Sequence, residues 1–252
     1  MATGDCAAPA YAEAARANAE SLVRMNLSVF GRPEAGWETY APVAAREIGT
    51  RCAPDTPGFA QALAGWPPGG APDGVMTEAA LQAVEIAVQA RRPIVAVLDR
   101  GVCPDPPTEL ADARPGEGYG GKAVQLRPGA LAAYRAMVAA ARAESPEIAA
   151  DPRFLQIYSG FRSPASDAAR CERDGDCNGV TRATCSPHRT GLAMDIYVGQ
   201  AEGYGPDSSA DPNRLAQSRM AAYRWLVVNA GRFGFAGYAF EPWHWEWTGE
   251  AP

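Results

Sequence analysis

Both histidines of this chain lie in two short motifs, Ser186-Pro-His188-Arg-Thr-Gly191-Leu-Ala-Met-Asp195 and Glu241-Pro-Trp243-His244-Trp245. A fold that uses both must bring these distant segments together, and that requirement constrains the chain more than any other feature. A catalytic zinc takes about three N or O protein ligands and keeps an open position. His188, Asp195 and His244 supply such a set, and Glu241, close to the third ligand, is a natural general base. On this reading the chain is a zinc hydrolase.

The local patterns suit a platform built on strands. Gly191 to Val198 ends in β-branched and aromatic residues and reads as a strand entered through a turn. Alternation sets Leu192 and Met194 on one face and Ala193 and Asp195 on the other, so Asp195 is expected to point away from the core. In Trp243-His-Trp-Glu-Trp247 the tryptophans face one way and His244 and Glu246 the other.

Ser186-x-His188-x-x-Gly191-x-Ala193-x-Asp195, the upstream Ser159-Gly-Phe-Arg162-Ser163 and the downstream Glu241-x-x-His244 resemble the signature motifs of the VanY-type D-alanyl-D-alanine carboxypeptidases, zinc peptidases related to VanX dipeptidases. The resemblance covers roughly residues 122 to 248. It implies that His188, Asp195 and His244 bind zinc, that Glu241 is the catalytic base, and that Arg162 stabilises the tetrahedral oxyanion or holds the substrate. Where the family usually carries a glutamine, this chain has Asp167. That departure falls on the substrate-contacting side of the site, and the metal side is intact.

Composition limits the alternatives. A net charge of −6 argues against nucleic acid or an anionic membrane as partner. No run approaches the roughly eighteen apolar residues of a spanning helix. The six cysteines, Cys6, Cys52, Cys103, Cys171, Cys177 and Cys185, form no C-x-x-C and fit structural zinc poorly. They read as disulfides, which require a periplasmic or secreted location. Six cysteines allow about fifteen pairings and the sequence does not choose among them; Cys6 with Cys52, and at least one loop closed among Cys171, Cys177 and Cys185, is the arrangement expected here. Met1 to Asp5 has no basic region followed by an apolar stretch, so an export signal is expected to have been removed.

Along the chain, residues 8 to 30 read as an alanine-rich helix with Leu22, Met25 and Val29 on one stripe. Further helices are expected over 34 to 48, over 56 to 66 with Pro57 at its first position, and from the N-cap Thr77 to Arg91. Residues 56 to 92 resemble the three-helix peptidoglycan-binding domain; a plain helical pair is the other reading. Pro93 to Leu98 is apolar and reads as a strand or extended segment. Gly116-x-Gly118-x-x-Gly121 matches a dinucleotide fingerprint only formally, because no strand precedes it and no helix follows at once. A helix from Pro128 to Glu144 is well patterned, with Leu131, Tyr134, Met137, Val138 and Ala141 on one face.

Phe154 to Ser159 is a strand candidate that delivers Arg162 to its end, where a permanently charged fork can bind a carboxylate or a developing oxyanion. Ser163 to Arg170 reads as a short helix and Cys171 to Cys185 as a loop leading into the first motif. Ser186 is positioned to bond substrate or to cap a turn, and Ser159, Asp167 and Trp243 complete the substrate side. Residues 199 to 210 form a polar loop, and Asp211 opens a helix in which Met220, Tyr223, Val227 and Ala230 share a face.

The expected architecture is α+β, a small antiparallel sheet with flanking helices of the hedgehog and DD-peptidase type, over 106 to 252. A helical region over 1 to 105 precedes it. The resemblance implies a zinc carboxypeptidase that removes a C-terminal D-alanine from peptidoglycan stem peptides, and the chain is expected to be a monomer. The same motifs suit a D,D-dipeptidase, an L,D-carboxypeptidase or a peptidoglycan endopeptidase, since selectivity lies in pocket walls. A non-catalytic wall-binding protein is the rival outside enzymes.

Overall fold

A computed structural model of the chain describes residues 6–66, 71–101, 103–175 and 186–252. It divides into two compact units, Met1–Gln89 and Ala90–Pro252.

The first unit is built from α1 (Ala12–Arg24), a hairpin of β1 (Asn26–Val29) and β2 (Arg32–Ala35), then α2 (Ala41–Glu47), α3 (Pro57–Gly65) and α4 (Glu78–Gln89). The helix expected over 8 to 30 stops at Arg24, because Met25 turns extended and Leu27 buries itself at strand spacing. Phe30 and Gly31 make the turn with positive φ. The helix expected from residue 34 begins only at Ala41, since Arg32–Ala35 is paired in the hairpin. Gly36 follows with φ +76, and a Cβ there would run into Leu22 O. The other two helices form as patterned: Thr56 caps α3 through Phe59 N–H, with Pro57 in its first turn, and Thr77 Oγ1 accepts from Ala80 N–H at the start of α4.

Trp37 stacks on Phe59 with ring centroids 5.8 Å apart, and Leu63, Leu81 and Val84 are buried with them. The expected Cys6–Cys52 disulfide closes this unit. A buried amide also ties it together: Asn18 Nδ2 donates to Gly74 O at 3.0 Å, and Met76 N–H donates to Asn18 Oδ1 at 2.7 Å.

The second unit runs α5 (Pro93–Asp99), β3 (Ala111–Asp112), β4 (Gln125–Leu126), α6 (Pro128–Glu144), α7 (Pro146–Ala150), β5 (Ile157–Ser159), α8 (Pro164–Asp174), β6 (Ala193–Ile196), α9 (Asp211–Arg219), α10 (Ala221–Asn229), β7 (Phe235–Tyr238) and β8 (Glu241–Trp247). Its centre is an antiparallel sheet of four strands in the order β5-β6-β8-β7, flanked by helices, so the fold is the expected α+β type. β6 is buried along its whole length. α6 buries Ala130, Leu131, Tyr134, Met137 and Ala141, while Val138 stays at the edge; Tyr134 OH donates to Leu155 O at 2.9 Å. Gly116 to Gly121 is a loop ending in a 3-10 turn, with no nucleotide-type helix after it.

Two expectations fail in this unit. Pro93–Leu98 is helical, not extended: Pro93 starts α5, and Ile94 and Val97 bury one helical face while Leu98 is exposed. The helix expected through 211 to 230 is broken, because Met220 is extended between α9 and α10. α9 itself buries a polar face. Asn213 holds Ala201 N–H, Gly205 O and Ser208 O, Gln217 donates to Gly199 O and Pro206 O, and Arg214 donates to Phe240 O while lying 4.0 Å over that ring. The loop 199–210 is thereby tied down by a helix whose apolar periodicity could not foretell it.

Asn18→Ala leaves a buried carbonyl and a buried N–H unsatisfied, so a loss of about 2–3 kcal/mol is expected in the first unit. Amide exchange of α3 and α4 during urea unfolding measures it.

Candidate active site

His188 lies in a 3-10 turn, Pro187–Thr190, that runs directly into β6. Ser186 caps the turn, its Oγ accepting from His188 N–H at 3.3 Å. Gly191 ends the turn with φ +69 and donates its N–H to His188 O. In the sheet, Asp195 of β6 stands directly opposite His244 of β8 and Ser159 of β5. Three elements distant in sequence thus deliver their side chains to one point.

At that point His244 Nδ1 lies 2.8 Å from Asp195 Oδ1, and His188 Nε2 lies 3.2 Å from Asp195 Oδ2. One donor atom from each of the three residues falls within 4.8 Å of the others. The expected convergence is present, with one correction. Asp195 does not turn away from the core. Neighbours cover both faces of β6, and His188, Asp195 and His244 are only 3%, 6% and 3% exposed.

Burial works against the Asp195 charge, yet the imidazoles of His188 and His244 hold its carboxyl far below the usual range. Burial drives His188 down to about 4 against the pull of Asp195, so this ring is neutral near pH 7. Its Nδ1 sits 2.7 Å from Gly160 O. A carbonyl only accepts, so Nδ1 carries the proton and Nε2 turns a lone pair toward Asp195. Burial also opposes charge on His244, but hydrogen bonds to Asp195 and Glu246 raise it to about 9. Two imidazole nitrogens and a carboxylate oxygen, with one tautomer already fixed from behind, fit a divalent cation of the zinc type.

Arg162 is brought to the same place. Its Nε and one terminal nitrogen donate to Ser159 Oγ at 3.3 and 3.2 Å, the other terminal nitrogen reaches Ser186 Oγ at 3.5 Å, and the fork lies 3.4 Å from Asp195 Oδ2. Asp167, on α8, sits 4.0 Å from Arg162 and 3.7 Å from Arg189. It is buried, one of its oxygens has no hydrogen-bond partner among the described residues, and burial raises its carboxyl against the surrounding arginines. Trp243 is buried in β8 as a core residue. Cys171 is disulfide-bonded and lies in α8, which runs on to Asp174 where a loop was expected from residue 171; Cys177 and Cys185 lie outside the described residues.

Glu241 depends on an irregularity. Strict alternation would put it on the face opposite His244. The register instead passes from Tyr238↔Glu241 to Gly237↔Trp245, so β8 carries Pro242, Trp243 and His244 where β7 has no residue to match. Pro242, which has no N–H for the ladder, falls in this bulge. The Glu241 carboxyl then lies in the fields of His244, Asp195, Arg92 and Arg162, and burial raises it above the ordinary value.

Glu246 and Arg92 were not assigned roles from sequence. Glu246 Oε1 is 3.3 Å from His244 Nε2, and Arg92 Nε donates to the same oxygen at 2.7 Å. Burial opposes ionisation of Glu246, but His244, Arg92 and Ile94 N–H bring it to about 2. The shared face of Glu246 and His244 was a usable signal; Arg92, 154 residues away, offered none.

Gly191→Ala places a side chain at positive φ, 3.1 Å from Arg127 Cγ and 3.2 Å from Pro107 Cγ. A loss of about 1–3 kcal/mol is expected, measurable as a lower urea midpoint with or without added metal.

No protein of curated function matches the chain. Among solved structures, the LdcB LD-carboxypeptidase, described as revealing the molecular basis of peptidoglycan recognition, is similar at 23% identity. That similarity covers 57% of this chain and 70% of the other, with a TM-score of 0.41. The VanY family model, D-alanyl-D-alanine carboxypeptidase, matches residues 123–250, just over half of the chain and the part that holds every motif of the cluster; the protein belongs to this family.

Proposed function

We propose that the protein is a zinc-dependent carboxypeptidase that removes a C-terminal D-alanine from peptidoglycan stem peptides, as a monomer in the periplasm or outside the cell. The observation that carries this reading is the meeting of His188, Asp195 and His244 donor atoms within 4.8 Å, in a chain of the VanY family. The Cys6–Cys52 disulfide supports an oxidising compartment. No helix among the described residues is long and apolar enough to cross a membrane. We assign the catalysis to the second unit.

His188 Nε2, an Asp195 oxygen and His244 Nδ1 would hold the zinc, with Gly160 O and Glu246 steadying the rings from behind. The chemistry zinc supplies when bound is Lewis acidity toward a peptide carbonyl and toward water. Glu241 takes a proton from the attacking water and hands it to the leaving amine, and burial, which raises its carboxyl, favours its taking up the proton. Arg162 donates to the oxygen on which negative charge grows, or to the substrate carboxylate, from a fork fixed by Ser159 and Ser186. Asp167 offers acceptors where the usual glutamine would also donate, and so tunes Arg162 and the substrate pocket.

Incubation with purified muropeptides, with and without a chelator, tests the reading by mass spectrometry. Loss of a single terminal alanine that stops on chelation is expected. Release of a dipeptide, cleavage inside a cross-link, or binding without product would overturn it. Glu241→Ala is expected to retain zinc while kcat falls by about 10²–10⁴-fold, and near-normal turnover in a zinc-loaded sample would exclude Glu241 as the base.

A further inference from the structure

Arg92 and Ile94 precede the segment matched by the family, residues 123–250, yet both close on Glu246. Arg92 Nε and a terminal nitrogen lie 2.7 and 2.6 Å from Glu246 Oε1, and Ile94 N–H donates to Oε2 at 3.0 Å. The two side chains are 9% and 2% exposed. Both oxygens of the carboxylate are therefore held, and Oε1 is also 3.3 Å from His244 Nε2. The guanidinium lies 4.0 Å above the Tyr238 ring, which meets the His244 ring edge-on at 6.1 Å. The His244 ring is thus confined by Glu246 along its plane and by Tyr238 across it, and Arg92 touches both confining residues.

We infer that Arg92 is a positioning residue for the metal centre: through Glu246 and Tyr238 it fixes the orientation of His244, so the segment ahead of the family domain completes the site. The physical reason is that a ligating imidazole whose far nitrogen is anchored loses little freedom when its near nitrogen binds a cation. A buried carboxylate without a counter-charge would be costly to keep ionised beside that ring. Arg92 and the Ile94 N–H, both from outside the family segment, supply that compensation together with His244 itself.

The inference rests on the zinc reading above, and the experiment separates the two. Zinc affinity of the full chain is measured by competition with a chromophoric chelator for the wild type, Arg92→Gln, Arg92→Lys and Glu246→Gln, with the near-ultraviolet circular dichroism of each metal-free protein as a fold control. Arg92→Gln and Glu246→Gln are each expected to weaken zinc by about 10–100-fold, and Arg92→Lys, which keeps one charged donor, to recover part of the loss. Wild-type affinity in both glutamine variants would overturn the role of Arg92, whereas failure of the wild type to bind zinc would overturn the metal reading itself. Should Arg92→Gln lose its native spectrum, the isosteric Glu246→Gln decides the matter alone, by the same affinity criterion.

Discussion

The site depends on one cross-strand pair. Asp195 and His244 face each other on β6 and β8, and their side chains meet at 2.8 Å beneath the protein surface. A carboxylate buried this deeply is tolerable only because the His244 imidazole and the Arg162 guanidinium stand beside it. Much else in the second unit follows from that need. Gly160 O fixes the His188 tautomer, Ser159 and Ser186 hold Arg162 at the carboxylate edge, and Glu246 secures the far side of His244.

Local motifs carried most of the site in legible form. The turn at Gly191 and the strand it leads into, Ala193–Ile196, were apparent from residue types alone, and so was the shared face of His244 and Glu246. What stayed hidden was of another kind. Alternation predicts which face a side chain takes only when the ladder is regular, and β8 is irregular between Glu241 and Trp245. It also assumes that one face of a strand meets water, whereas β6 is covered on both. Arg92 could not be found by any local rule, since its partner lies 154 residues away.

The fold shows the same division. α3, α4 and α6 carry caps or an initial proline together with apolar stripes, and they form close to where those signals lie. α1 ends early because a strand with a single inward leucine took over where the apolar stripe was to continue. α9 buries Asn213, Arg214 and Gln217, which a hydrophobic period assigns to solvent, because their side chains serve as the hydrogen-bonding frame for residues 199–210. Polar burial of this sort leaves no periodic trace, so the break at Met220 was not readable.

The bulge in β8 separates two things that a regular hairpin would lock together. His244 takes its place from the pairing with β6, while Glu241 takes its place from the tight turn through Ala239 and Phe240. Lengthening or shortening that turn by one residue would rotate the carboxylate out of the cluster and leave the histidines and Asp195 where they are. The placing of Glu241 and the meeting of His188, Asp195 and His244 are therefore governed by separate parts of the fold, and the length of a hairpin connection bears on the first alone.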